Sequence, residues 1–239
     1  MNKTLITFFT VLFCLTSSVG WSLEYWDPNK NDLVIQDGLY YKKFTEVPFS
    51  GKIKGQYQGS FKNGKKDGSY KFYSDNGQLW IKIDYKNGKK EGSWVGYYEN
   101  GKLWKKGKYK NEKKEGTWVH YYRNGQLEYK RDHKNGLFEG DWIIYHKNGQ
   151  LRDKGQYKND LKDGSWVHYW DNGQLQSEGN YKNDKKEGSW IAYHTNGQLD
   201  YKGNYKNGLF EGSVVGEWRD ATINEIITGT YKDGKKISD

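Results

Sequence analysis

Glu91-Gly-Ser-Trp-Val-Gly-Tyr-Tyr-Glu-Asn-Gly-Lys-Leu-Trp-Lys-Lys-Gly-Lys-Tyr-Lys110 is the stretch that decides the fold. Asn100-Gly101 separates two runs of β-prone residues. Asn-Gly in that setting is the strongest short-range hairpin signal, because both central residues of a type I′ turn need φ > 0. With Asn100-Gly101 as a two-residue turn, Glu99 faces Lys102 and Tyr98 faces Leu103. Counting outward, Trp94 falls opposite Gly107, and Tyr109 opposite Gly92. The second strand alternates. Leu103, Gly107 and Tyr109 share one face and Trp104, Lys106 and Lys108 the other, the period-two pattern of a half-buried strand. The first strand is apolar on both faces, with Val95 and Tyr97 opposite Trp94 and Tyr98. A ring lying over a strand glycine covers backbone that would otherwise be wet. Each such glycine is therefore expected beneath the ring it faces.

The same spacing recurs along the chain. Gly68, Gly92, Gly116, Gly140, Gly164, Gly188 and Gly212 follow one another at 24 residues, and Asn76-Gly77 through Asn196-Gly197 keep the same step. A self-similar period of this size marks a repeat array, in which each unit buries its apolar face only by stacking on its neighbours. Carried along the array, the register places Gly179 under Trp166 and Gly203 under Trp190, whereas Arg131 opposite Trp118 breaks the pattern. The returning turn, Lys110-Asn-Glu-Lys-Lys-Glu-Gly116, is short and polar, and no segment has helical periodicity. Two strands per unit over about seven units give roughly 14 strands, and at about 4.8 Å per strand a sheet on the order of 65 Å long. Open sheets of that size twist or curl. The predicted fold is all-β: an elongated, curved, open antiparallel sheet of tandem 24-residue β-hairpins.

Composition agrees. The chain has 239 residues, a net charge of +9 and a hydrophobic fraction of 34%, half of it aromatic at 17%. So many rings exclude a disordered chain, and the absence of long aliphatic runs after the first twenty residues excludes a compact two-layer domain. Met1–Gly20 reads as a secretory signal, with Lys3, the apolar stretch Thr4–Leu15, and Ser18-Val19-Gly20 ahead of Trp21. Cleavage there would remove Cys14, the one cysteine, and leave nothing to form a disulfide. An uncleaved membrane anchor through residues 4–19 is the alternative. Residues 21–37 read as a linker, 38–66 as a degenerate opening repeat, 67–212 as the tandem array and 213–239 as an irregular closing repeat. Terminal units of an array are atypical because one side of each faces water.

Units such as Glu115-Gly-Thr-Trp-Val-His-Tyr-Tyr-Arg-Asn-Gly-Gln-Leu127 and Tyr157-Lys-Asn-Asp-Leu-Lys-Asp-Gly164 resemble the MORN repeat in its bacterial variant form. The opening Asp37-Gly-Leu-Tyr-Tyr-Lys-Lys-Phe-Thr-Glu-Val-Pro-Phe-Ser-Gly51 and the ending Gly229-Thr-Tyr-Lys-Asp-Gly-Lys-Lys-Ile-Ser-Asp239 are similar to bacterial YwqK-family antitoxins. The MORN resemblance implies hairpin arrays that mediate protein association and sometimes contact anionic lipid, with no catalytic residues of their own. The antitoxin resemblance implies a partner toxin.

Candidate sites follow from departures from the repeat. Trp94, Trp118, Trp142, Trp166 and Trp190 are expected to cover the recurring glycines and form the core. Trp80 and Trp104, on the polar face of the second strand, and Trp170, where other units place Tyr or His, are the candidate ligand or partner contacts. His120 and His168, like His146 and His194, occupy equivalent places two units apart, about 19 Å on a regular sheet. Zinc ligands sit about 2 Å from one ion, so no shared metal is expected. Ser, His and Asp recur by repetition, whereas an enzyme needs one convergent cluster. Neither catalysis nor a cofactor is expected. Lys86, Lys110, Lys134, Lys158, Lys182 and Lys206 form a row interspersed with Glu91, Glu115, Glu139, Asp163 and Glu187, a pattern of solvated turns rather than a nucleic-acid footprint. The reading is an exported, non-enzymatic scaffold with a protein partner. Its alternatives are an antitoxin or immunity protein, and a binder of anionic lipid or cell-wall glycan.

Overall fold

The computed structural model describes residues 25–26, 33–219 and 224–239; the expected signal sequence lies outside them. Every regular element among the described residues is a β-strand. From Gly51–Ile53 onward, successive strands pair antiparallel with their neighbours in sequence as one long open sheet. Tyr25–Trp26 adds in parallel at its first edge. Leu33–Gln36 and Leu39–Lys42 form a separate two-stranded sheet, tied to the array where Tyr40 N donates to Gly64 O and Phe49 N to Tyr40 O, both at 2.8 Å.

The two turns of each unit differ in kind, and the two-residue turn is not the expected one. Gly101 N donates to Tyr98 O at 2.9 Å and Tyr98 N to Lys102 O at 2.8 Å. Gly101 alone is left-handed there, at φ 78°. This is a three-residue loop, a type I turn closed by a left-handed glycine. Asn100 is present for its side chain: Oδ1 accepts from Lys102 N at 3.1 Å, an Asx bond that recurs at Asn124, Asn148, Asn172 and Asn196. Tyr98 therefore faces Lys102 and Tyr97 faces Leu103, in place of the expected Glu99–Lys102 and Tyr98–Leu103 pairs. A bulge at Trp104 cancels the slip, so Trp94 still pairs with Gly107 and Gly92 with Tyr109. The type I′ turn lies at the other end of the unit. Lys110 pairs with Lys113, and Asn111 (φ 48°) and Glu112 (φ 66°) are both left-handed.

The core rests on the recurring glycines, in the opposite direction to that expected. Trp166 pairs with Gly179 and Trp190 with Gly203, as the register requires. Yet a Cβ added to Gly179 would meet Trp190 Cδ2 at 2.2 Å; at Gly155 it would meet Trp166, and at Gly107 Trp118, at the same distance. Each ring leans across the ladder onto the preceding hairpin. Gly179 thus lies under Trp190 rather than Trp166. Gly203 lies under Val214, whose Cγ2 would stand 3.0 Å from an added Cβ, rather than under Trp190. The indole N–H sets the direction. Trp118 Nε1 donates to Lys108 O at 3.2 Å, Trp166 Nε1 to Gln156 O at 3.2 Å and Trp190 Nε1 to Asn180 O at 2.9 Å.

The glycine decides how far the ring is buried. Trp118, Trp166 and Trp190 are at most 2% exposed. Trp94 and Trp142 are only half-buried, because Ile83 and Arg131 stand where the other units carry that glycine. Five equivalent core tryptophans thus become three, with Tyr70 and Val214 filling the same place at the two ends. Each buried ring removes about 150–250 Å² from water, which is roughly 4–6 kcal/mol before entropic costs.

Candidate interaction surface

On the ring-bearing face the cations lie against the rings. Lys66, Lys90, Lys114, Lys162 and Lys186 recur along it and lay their amines on the rings: Lys162 Nζ lies 4.4 Å from the Trp166 ring, and Lys186 Nζ 4.5 Å from that of Trp190. Such contacts contribute about 0.5–2 kcal/mol each, more as the amine loses water. Burial lowers the pKa of Lys66 and, with help from Lys105 and Arg131, that of Lys114. One unit departs from the plan. Phe138 replaces the lysine, and Arg131 supplies the cation instead, lying between Tyr129 at 3.8 Å and Trp142 at 3.9 Å.

Strand alternation sends Ser93, Val95 and Tyr97 to the opposite face. There the cross-strand pairs join into continuous rows. Lys82, Lys106, Lys130, Lys154 and Lys202 alternate with Val95, Val119, Ile143, Val167, Ile191 and Val215, and Glu178 takes a lysine's place once. Beside them Tyr73, Tyr97, Tyr121, Tyr145, Tyr169 and Tyr193 each face a leucine of the returning strand. On the other flank Thr117 Oγ1 donates to Asp132 Oδ1 at 2.6 Å and Ser165 Oγ to Asn180 Oδ1 at 2.9 Å. Shallow grooves run between the rows, one of them lined by Lys154, Gln156, Val167, Glu178, Asn180 and Ile191. Among the described residues, the five row lysines make no ion pair and the six tyrosine hydroxyls no hydrogen bond.

The charged turns are more than solvated ends. Glu91 Oε2 accepts from Asn111 N at 2.7 Å, and Glu115, Glu139 and Glu187 do the same for the next type I′ turn at 2.8–2.9 Å. With those carboxylates fixed on backbone, Lys86–Lys89, Lys110–Lys113 and Lys182–Lys185 are left directly opposite one another. Like charges so placed are destabilising by a few tenths of a kcal/mol up to about 1 kcal/mol.

The three tryptophans singled out in the sequence do not come together. Trp104 is not on the polar face: its bulge turns it onto the ring face, against Trp94 (5.7 Å) and His120 (5.8 Å) and over Gly96. Trp170 Nε1 donates to Tyr193 O at 3.1 Å, the tie that Tyr98, Tyr122 and His146 make in their units. Trp80 occupies the equivalent bulge, between Leu79 and Ile81, and is 52% exposed. The histidines have separate neighbours. His168 Nδ1 lies 2.7 Å from Asp153, His120 Nδ1 2.5 Å from Glu128, and His133 packs on Phe138 at 4.8 Å. Burial would raise the Asp153 pKa, but hydrogen bonds from His168 and Arg152 leave it lowered. Among the described residues no three His, Cys, Asp or Glu side chains gather as a metal would need. The alternation in the sequence already puts Val95, Tyr97 and Lys106 on this side, and Tyr73 to Tyr193 keep the 24-residue step; the cross-strand pairing joins them into rows.

Residues 66–87, 90–111, 114–135, 138–159, 162–183 and 186–207 each match the MORN repeat variant family. Curated proteins provide no match to the chain.

Proposed function

The chain belongs to the MORN repeat variant family, and from that membership we propose that it is a non-enzymatic scaffold that binds another protein. The carrying observation is the contrast between its faces. One has its amines and indoles engaged in packing, whereas the other presents tyrosine, lysine and aliphatic side chains in matching rows along the array. Catalysis asks for one unique convergent cluster in a pocket; the His168–Asp153 and His120–Glu128 pairs are each packed against a ring, and the other serines, histidines and acids recur by repetition. Lys3 and the apolar stretch Thr4–Leu15 support export. The likeness of residues 37–51 and 229–239 to YwqK-family antitoxins supports a second reading, in which the bound protein is a toxin.

Affinity capture with the tagged full chain, from envelope and cytosolic fractions side by side, tests this. A protein recovered in fixed ratio to the bait from the envelope fraction, with the bait's own N-terminus near Trp21, is the expected result. Retention on glycan or lipid with no protein recovered contradicts the scaffold reading. Full-length bait confined to the cytosol contradicts export.

A further inference from the structure

Resting on the scaffold reading, we propose that the back face docks an acidic amphipathic helix of the partner, laid across the strands. The charge argument comes from the central row. Lys106, Lys130 and Lys154 stand two strands apart, separated by aliphatic side chains and without ion pairs among the described residues. The apolar argument comes from the adjoining row, where Tyr121 pairs with Leu127 and Tyr145 with Leu151.

The repeat length selects the conformation of the occupant. Equivalent side chains recur every two strands, about 9.6 Å apart. Seven residues of α-helix make about two turns and rise about 10.5 Å, returning to nearly the same side of the helix. An extended segment returns to the same side only at about 6.7 or 13.4 Å, so it cannot keep step with the rows. A helix with acids every seven residues meets the lysines, and apolar residues in the adjoining heptad position lie along the tyrosines. A sheet twists by about 20° per strand, which limits a straight helix to two or three repeats, about 14–21 residues. Glu178 interrupts the lysines and marks the end of the footprint.

A displayed library of 21-residue helical peptides, randomised on one side and panned against the full chain, tests this. Acids enriched at seven-residue intervals beside apolar positions are expected. The enriched peptide should lose at least tenfold in affinity to a chain carrying Lys106→Glu, Lys130→Glu and Lys154→Glu. Glu178→Lys, which completes the row, should bind it at least threefold more tightly, and this decides the matter if the triple variant unfolds in urea too early to be used. Enrichment without the seven-residue interval, no enrichment, or indifference to the reversals overturns the proposal. So does retention on anionic phospholipid vesicles that the reversals abolish while no helix is enriched. The two readings fail separately: if a captured native partner holds the triple variant undiminished, the scaffold stands and this face is wrong.

Discussion

At Gly179 one added carbon would meet Trp190 Cδ2 and Cε2 at 2.2 and 2.3 Å, which no rotation of a fully buried indole relieves. Gly179→Val should therefore destabilise the chain by about 3–5 kcal/mol, the range for losing a buried tryptophan. Gly203→Val meets Val214 at 3.0 Å and Phe210 at 3.4 Å, contacts that a small shift relieves, and should cost less than half as much. Lys202→Val, between Ile191 and Val215 on the other face, should be nearly neutral. Urea melts of the three variants rank them; equal losses at positions 179 and 203 would refute the direction of the packing. His133 gives a pH test. Burial, with Lys114 next in weight, lowers its pKa to about 4. The unfolded chain, with an ordinary histidine near 6.5, binds the proton more readily. The stabilisation is complete above pH 6.5 and falls away as pH drops towards 4, by on the order of 1–3 kcal/mol. His133→Tyr, the residue other units carry there, should flatten stability between pH 4 and 6.5. A wild-type curve already flat over that window would contradict the assignment.

At the scale of the hairpin, strand positions and the Trp–Gly register were legible from Asn-Gly and the alternation around it. The turn types were not. Asn100-Gly101 serves the three-residue loop through the Asn side chain, whereas Asn87-Gly88, Asn135-Gly136 and Asn207-Gly208 form type I′ turns, and Asn111-Glu112 forms one with a Glu at φ 66°, a residue that rarely accepts φ > 0. What offsets that cost is a side-chain bond. In the equivalent turn Asp184, at φ 65°, accepts from Lys162 N at 2.7 Å. Asp184→Gly relieves the backbone while losing the bond, and should remain within about 0.5 kcal/mol of wild type. Asp184→Ala loses the bond and keeps the strain, costing about 1.5–2.5 kcal/mol. Thermal melts that place both substitutions equally low would contradict this. Departures from the repeat have packing roles of their own. Trp104 and Trp170 looked functional as departures from the repeat, yet one fills the space over Gly96 and the other supplies an N–H to Tyr193 O. The back face is the repeat itself, joined into rows by the cross-strand pairing.

Across the whole molecule, stability is a chain of nearest-neighbour junctions, and the junctions share a direction. A ring of one hairpin closes on the glycine of the hairpin before it, and carboxylates such as Glu91 and Glu115 hold the turn of the hairpin after. That interlock concentrates the ring packing on one face and leaves the rows of the other without it. It also explains why the register could be read correctly while the packing was not: cross-strand pairing puts Gly179 beside Trp166, but only the indole hydrogen bond reveals which way a ring leans. Nuclear Overhauser contacts between glycine Hα and indole protons, in a sample labelled only at Gly and Trp, measure the direction at several junctions at once. The account predicts contacts for Gly107 with Trp118, Gly155 with Trp166 and Gly179 with Trp190. Contacts of those glycines with Trp94, Trp142 and Trp166 in their place would contradict it.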